Sequence, residues 1–188
     1  MGLGMAGQKA REQHRNERRE AREAVFLLLY ETEYHTGETP EEIFARAEKN
    51  RGPYADEAYL RNTYFGVMTH LEQVDTLIGK YAKGWRTGRL SRVSRAVLRL
   101  GTYELAFSPV VPAPVVINEA VELDKKYDDA KARAFVNGVL NAIKDGLPGE
   151  QASGRTDGSP KAAPADDGTP VAQTEPAEEP TAGDASHG

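Results

Sequence analysis

The sequence predicts an all-α protein, a bundle of about six or seven helices, and three observations carry that prediction. Apolar residues recur at helical spacing in stretch after stretch, and no stretch alternates convincingly with period two. Proline, glycine and capping residues fall between the periodic stretches, where helix ends belong.

The elements follow in order. A first helix runs through Arg11, Arg15, Arg18 and Arg22 and turns apolar at Val25, Phe26 and Leu29. Thr39-Pro40-Glu41-Glu42 is a capping box with proline at the first helical position, and Gly52-Pro53 ends the short helix it opens. Leu60, Tyr64, Val67 and Leu71 mark a third helix; Val74, Leu77, Ile78 and Tyr81 mark a fourth. Another spans about Arg92 to Phe107, before a run from Ser108 to Pro114 that holds three prolines. Val116, Ala120, Leu123 and Tyr127 define the next, beginning near Val115, and Val136, Val139, Leu140, Ile143 and Leu147 define the last.

Beyond Leu147 the chain is Gly, Ala, Pro, Ser, Thr and acidic residues, which bury too little apolar area to offset chain entropy. The expected organisation is a flexible start over residues 1–8, a helical domain over 9–147 and a disordered acidic tail over 148–188. The formal charge of -5 is therefore misleading. From Asp145 onward there are 9 acidic and 2 basic residues, whereas residues 1–144 hold 22 basic and 20 acidic ones, a net of +2.

Several classes are disfavoured. Without cysteine there is neither disulfide nor thiolate chemistry. Ala24 to Tyr30, the most apolar stretch, is far shorter than the roughly 20 residues that span a bilayer. The basic, Glu-containing start does not resemble a signal peptide, so a cytoplasmic protein with no membrane partner is expected. His14, His35, His70 and His187 lack metal-site spacing, and no nucleophile elbow, P-loop or dinucleotide fingerprint is present. The acid pairs Glu31/Glu33 and Asp128/Asp129 read as solvated surface. No catalytic residue, metal or cofactor is expected.

Two basic regions point to nucleic acid instead. Arg11, Arg15, Arg18 and Arg22 fall within an arc of about 60°, with Arg19 beside them. Guanidinium groups suit phosphate because their planar fork donates bidentately, although a merely solvated helix end has the same pattern. From Lys80 to Arg99 there are seven Lys or Arg and no acid, together with Tyr81 and Trp85. Cations beside aromatic rings match single-stranded RNA, whose unstacked bases seek π faces. Trp85 reads first as a core residue, and Tyr81 as either core or contact.

Four ordered blocks resemble the NusB family over about 125 residues: Arg18-Arg19-Glu20-Ala21-Arg22-Glu23 on to Leu29-Tyr30, Arg89 to Leu100 with Tyr103-Glu104-Leu105, Val116 to Leu123 with Lys125-Lys126-Tyr127, and Phe135 to Leu140. The resemblance implies two packed helical subdomains and a transcription antitermination factor. It also implies joint binding of boxA RNA in ribosomal RNA leader transcripts with NusE, a small-subunit ribosomal protein, within the RNA polymerase antitermination complex. The RNA contacts it implies are Arg18, Arg19, Arg22, Tyr81, Lys131, Arg133 and Phe135, which Arg15 joins from the stripe. The NusE face would hold Tyr30 and Ser94, while Asn118, Glu119, Asn137 and Gly138 would serve helix-end hydrogen bonding and close packing. Ser94 and Lys131 stand where the family carries acids, which weakens a charged partner contact at the first and favours RNA at the second. Rival readings are an accessory domain of a ribosomal RNA methyltransferase, although nothing catalytic follows Leu147, and a purely protein-interacting bundle.

Overall fold

The computed structural model describes residues 3–51, 53, 54, 56–82 and 90–148, with seven helices and no strand among them. They are α1 (Leu3–Thr32), α2 (Pro40–Arg51), α3 (Glu57–Thr69), α4 (Leu71–Tyr81), α5 (Arg92–Ala106), α6 (Ala113–Tyr127) and α7 (Ala130–Gly146). By Cα proximity the chain divides into Met1–Ser153 and Gly154–Gly188, the second wholly outside the described residues. The expectations for the tail from Gly149 and for Lys83, Trp85, Arg86 and Arg89 also lie outside them.

Four of the helix starts are fixed by side-chain caps. In the capping box the Thr39 N–H donates to Glu42 at 2.7 Å and the Glu42 N–H donates back to Thr39 Oγ1 at 3.3 Å. Asp56, Ser91 and Asp129 cap α3, α5 and α7 by accepting backbone N–H groups of their first turns. α1 already starts at Leu3, ahead of the boundary expected at Lys9. Its residues 7–16 are all exposed, so about 15 Å of helix stands clear of the bundle.

α5 is the axis of the fold. It packs against α1 and α3 on one side and against α4, α6 and α7 on the other, giving two groups of helices one shared core. Ala96, Val97, Leu98, Leu100, Gly101, Thr102, Glu104 and Leu105 are all buried, an arc of about 240° that leaves one side, with Arg92, Arg95 and Arg99, at the surface. Gly101 permits the crossing with α7, because a Cβ there would lie 2.9 Å from Leu140 Cδ1.

Among the described residues, one fully buried charged pair lies in this core, and it joins α1 to α5. Arg22 Nε and Nη2 donate to Glu104 Oε2 and Oε1 at 3.0 and 2.8 Å, and both side chains are only 4% exposed. The Tyr59 hydroxyl of α3 donates to Glu104 Oε1 at 2.9 Å, so three helices meet at one carboxylate. Burial disfavours the Arg22 cation, yet the hydrogen bonds and charge of Glu104 outweigh it and hold its pKa above the ordinary value. Burial, then the Glu104 charge, drives the Tyr59 phenol upward as well, keeping it a donor.

Removing one member of such a pair strands the other charge, so Arg22→Gln should cost about 3–5 kcal/mol in urea unfolding. Joint replacement by Arg22→Met and Glu104→Leu should recover most of that loss. The exposed Arg61–Glu48 pair, 3.0 Å apart, sets the scale for a surface bridge: Arg61→Gln should cost under about 1 kcal/mol.

Candidate nucleic-acid interface

The α1 arginines share an angle on the helix but not a depth. Arg15 is 65% exposed, with Glu12 no nearer than 3.9 Å. Arg18 is half-buried; its guanidinium lies 4.4 Å from the Tyr59 ring centre, and Nε sits 2.9 Å from Asp56 Oδ2, near enough for an ion pair but not aligned as a hydrogen bond. Arg19, at 47% exposure, donates from Nε to both Glu119 oxygens at 2.9 Å. Arg22 corrects the sequence reading: enclosed against Glu104, it has no route to a phosphate in this structure. The side of α1 that meets water at Arg15 meets α3 and α5 seven residues on.

The other expected contacts lie along α7. Tyr81, half-buried at the end of α4, lays its ring on the last turn of α7, where a Cβ at Gly146 would fall 1.8 Å from its hydroxyl. Lys131 is exposed in the first turn of α7, and Arg133 and Phe135 are half-buried, Phe135 against the core. Phe135 and Gly146 are 11 residues apart, so Phe135 and Tyr81 are separated by about 16 Å along the helix. They mark two ends of one surface.

Tyr30 belongs to an aromatic ladder that the sequence reading found only in part. Ring centres run from Tyr127 to Phe26 at 4.9 Å, to Tyr30 at 6.2 Å and to Tyr34 at 5.2 Å, and the Arg92 guanidinium lies 4.2 Å over Tyr34. Tyr34 is 51% exposed and Tyr127 37%, so the ladder opens to water at both ends. The i, i+4 spacing of Tyr30 and Tyr34 was the available signal.

Ser94 does not join that face. Buried at 2% exposure, it donates from Oγ to Asp124 at 3.3 Å and Asp128 at 3.1 Å, so the expectation of a partner contact is corrected. Its backbone N–H is held by Ser91, which turns the side chain toward α6. Asp128, expected on the surface, is half-buried here, and Glu33 is held by Arg95 at 2.9 Å and by Arg99. Gly138 is exposed with nothing within 4 Å of a Cβ, and Asn118 and Asn137 are exposed in mid-helix; none of the three serves close packing or a helix end. Among the described residues no group of three or more His, Cys, Asp or Glu is arranged to hold a metal ion. No helix there is long and apolar enough to cross a membrane.

A two-part helical bundle bearing an arginine-rich projection and an open aromatic ladder is a binding module in form. The comparisons make the class specific. The NusB family model matches residues 19–145. The Transcription antitermination protein NusB of Myxococcus xanthus is 38% identical over 130 residues, covering 67% of this chain and 93% of the relative. That of Ruminiclostridium cellulolyticum is 38% identical over 141 residues, with 74% and 97% covered. A crystal structure of antitermination factors NusB and NusE in complex with dsRNA superposes with a TM-score of 0.63 at 36% identity, covering 70% of this chain and 98% of that one. NusB of T. maritima gives 0.62 at 38% identity, with 69% and 91% covered. The chain belongs to the NusB family.

The Ser94 neighbourhood generates a pH prediction. Asp124 is fully buried, and its second oxygen has no hydrogen-bond partner among the described residues. Burial, then the charge of Asp128, pushes its carboxyl from 3.8 up to about 6, against smaller opposing effects of Ser94 and Arg133. The native state binds this proton more tightly than the unfolded chain. Its stabilising contribution is complete below about pH 4 and is lost as pH rises through about 6. Glu23 runs the other way, since its bonds to Lys126 and Tyr127 overcome its burial and lower its pKa. The difference between wild type and Asp124→Asn isolates the Asp124 effect: the variant should be more stable at pH 7.5, by on the order of 2 kcal/mol, and the gap should shrink as pH falls through about 6 and close only below about pH 4. A gap independent of pH would contradict the assignment.

Proposed function

We propose that this protein is a non-catalytic adaptor of transcription antitermination, acting in the cytoplasm. It binds the boxA element of ribosomal RNA leader transcripts jointly with the ribosomal protein NusE and brings both to the RNA polymerase complex. The observation that carries this reading is the match, over 98% of that chain and 70% of this one, to a NusB crystallised with NusE and dsRNA. The relatives covered to 93% and 97% of their length are antitermination proteins, which supports this reading.

Within this reading Arg15 and Arg19 supply phosphate contacts, and Arg18 supports them from its place against Tyr59. The Arg19–Glu119 pair is open to water and weak enough to exchange for phosphate. Lys131 and Arg133 add charge at the start of α7, and Phe135 and Tyr81 offer ring faces to unstacked bases. NusE takes the Tyr30 face, extended by Tyr34 and Arg92. Arg22 and Ser94 act from inside, as supports.

The test is a titration of boxA-type RNA with and without NusE, in single-stranded and duplex form. NusE should raise RNA affinity by the same factor by which RNA raises NusE affinity. The single strand should bind more tightly than the duplex. Arg15→Gln with Arg19→Gln should flatten the salt dependence for the single strand by up to about 1.4. Independent binding of RNA and NusE would remove the adaptor reading, and an unchanged salt slope would make the arginine stripe a solvated helix face.

A further inference from the structure

Between α6 and α7 runs an open groove of about 320 Å³ that none of the contacts assigned above uses, except at its edge. Ile117 and Val121 line it with apolar surface, and Asn118, Asn137, Asn141 and Lys144 line it with polar groups; no carboxylate does. Asn137, Asn141 and Lys144 continue a row that starts at Arg133, since residues 133, 137, 141 and 144 fall within about 80° on the helix. The row puts cations at its two ends, about 16 Å apart, and amides between them.

These amides have hydrogen-bonding capacity to spare. Asn141 Nδ2 is spent on the Asn137 carbonyl at 2.9 Å and on Asn137 Oδ1 at 3.2 Å, leaving the Asn141 oxygen and the Asn137 amino group open. Asn118 makes no side-chain hydrogen bond among the described residues. The Lys144 ammonium lies 3.0 Å from Asp145, a carboxylate 70% exposed, and such a pair yields readily to a phosphate.

The groove also joins surfaces that are otherwise apart. Asn118 faces it, while Glu119, the next residue of α6, holds Arg19 of the arginine stripe. At its other end Lys144 is two residues from Gly146, on which the Tyr81 ring lies. A primary amide presents a donor and an acceptor at the spacing of a base edge, and flanking cations suit the phosphates of the same strand.

We propose that the α6–α7 groove is a further single-stranded RNA subsite, in which Asn118, Asn137 and Asn141 read base edges while Arg133 and Lys144 hold the phosphates on either side. It rests on the RNA-binding reading above and extends the RNA path across α6 from the arginine stripe toward Tyr81.

The test uses the full chain with NusE and two single-stranded RNAs, a boxA core and the same core lengthened by a few nucleotides at each end. Wild type should bind the longer RNA more tightly. Asn118→Ala with Asn141→Ala should lose about tenfold on the longer RNA and almost nothing on the core, with its helical circular dichroism unchanged. Lys144→Gln should weaken the longer RNA alone and reduce its salt slope by about 0.7. In wild type, the side-chain amide NMR signals of the three asparagines should move when the longer RNA is added. Unmoved signals together with equal affinities of variant and wild type would overturn the subsite and leave the adaptor reading intact. Signals that move with NusE alone would overturn it in favour of a protein groove. Failure of wild type to bind either RNA would sink both readings.

Discussion

A guanidinium and a carboxylate, almost without access to water, tie this fold together. Arg22 and Glu104 can be buried only as a pair, with both Glu104 oxygens engaged and Tyr59 closing the remaining side. That requirement sets how α1 enters the bundle: wherever the apolar turns from Val25 onward settle, Arg22 must arrive opposite Glu104. The direction of the projecting turns follows. Arg15 and Arg19 are carried on a helix whose root is locked, so their presentation depends on an interaction neither of them makes.

The same logic places the second face. α1 continues past the pair through the core and emerges at Tyr30, and with Tyr34 in the turn that follows the aromatic ladder meets Arg92 at the start of α5. One helix therefore serves a cationic surface at its beginning and an aromatic surface at its end, with the buried pair between. With RNA on the first surface and NusE on the second, as proposed, α1 is a shared element through which the two are linked, together with α6, whose Glu119 holds Arg19 and whose Tyr127 joins the ladder.

The helices were legible in the sequence because period and punctuation are local properties. The capping box at Thr39 and the proline run before α6 reappear, and the apolar rows do so except at their ends, where Leu71 opens α4 after the break at His70, Tyr127 is exposed and Leu147 caps α7. Depth was not legible. A helical wheel gives Arg15 and Arg22 the same angle, and only the packing of α3 and α5 separates an exposed cation from a buried one. Ser94 shows the same limit in reverse, since its neighbours Asp124 and Asp128 are 30 and 34 residues away in sequence. Asn118, Asn137 and Gly138 belong to the blocks that carry the family resemblance, which implies helix-end hydrogen bonding and close packing for them; their exposure is set by how α6 and α7 lie together.

The claim that the arginines divide by depth, one locked inside and the others free to meet RNA, is tested most directly by arginine Nε–H NMR of the full chain before and after boxA-type RNA is added. Arg22 should give a sharp signal, slow to exchange with water and unmoved by RNA, while the signals of Arg15 and Arg19 shift. An Arg22 signal that exchanges rapidly, or that moves in step with Arg15, would mean that the buried pair opens to take a phosphate and would contradict the account.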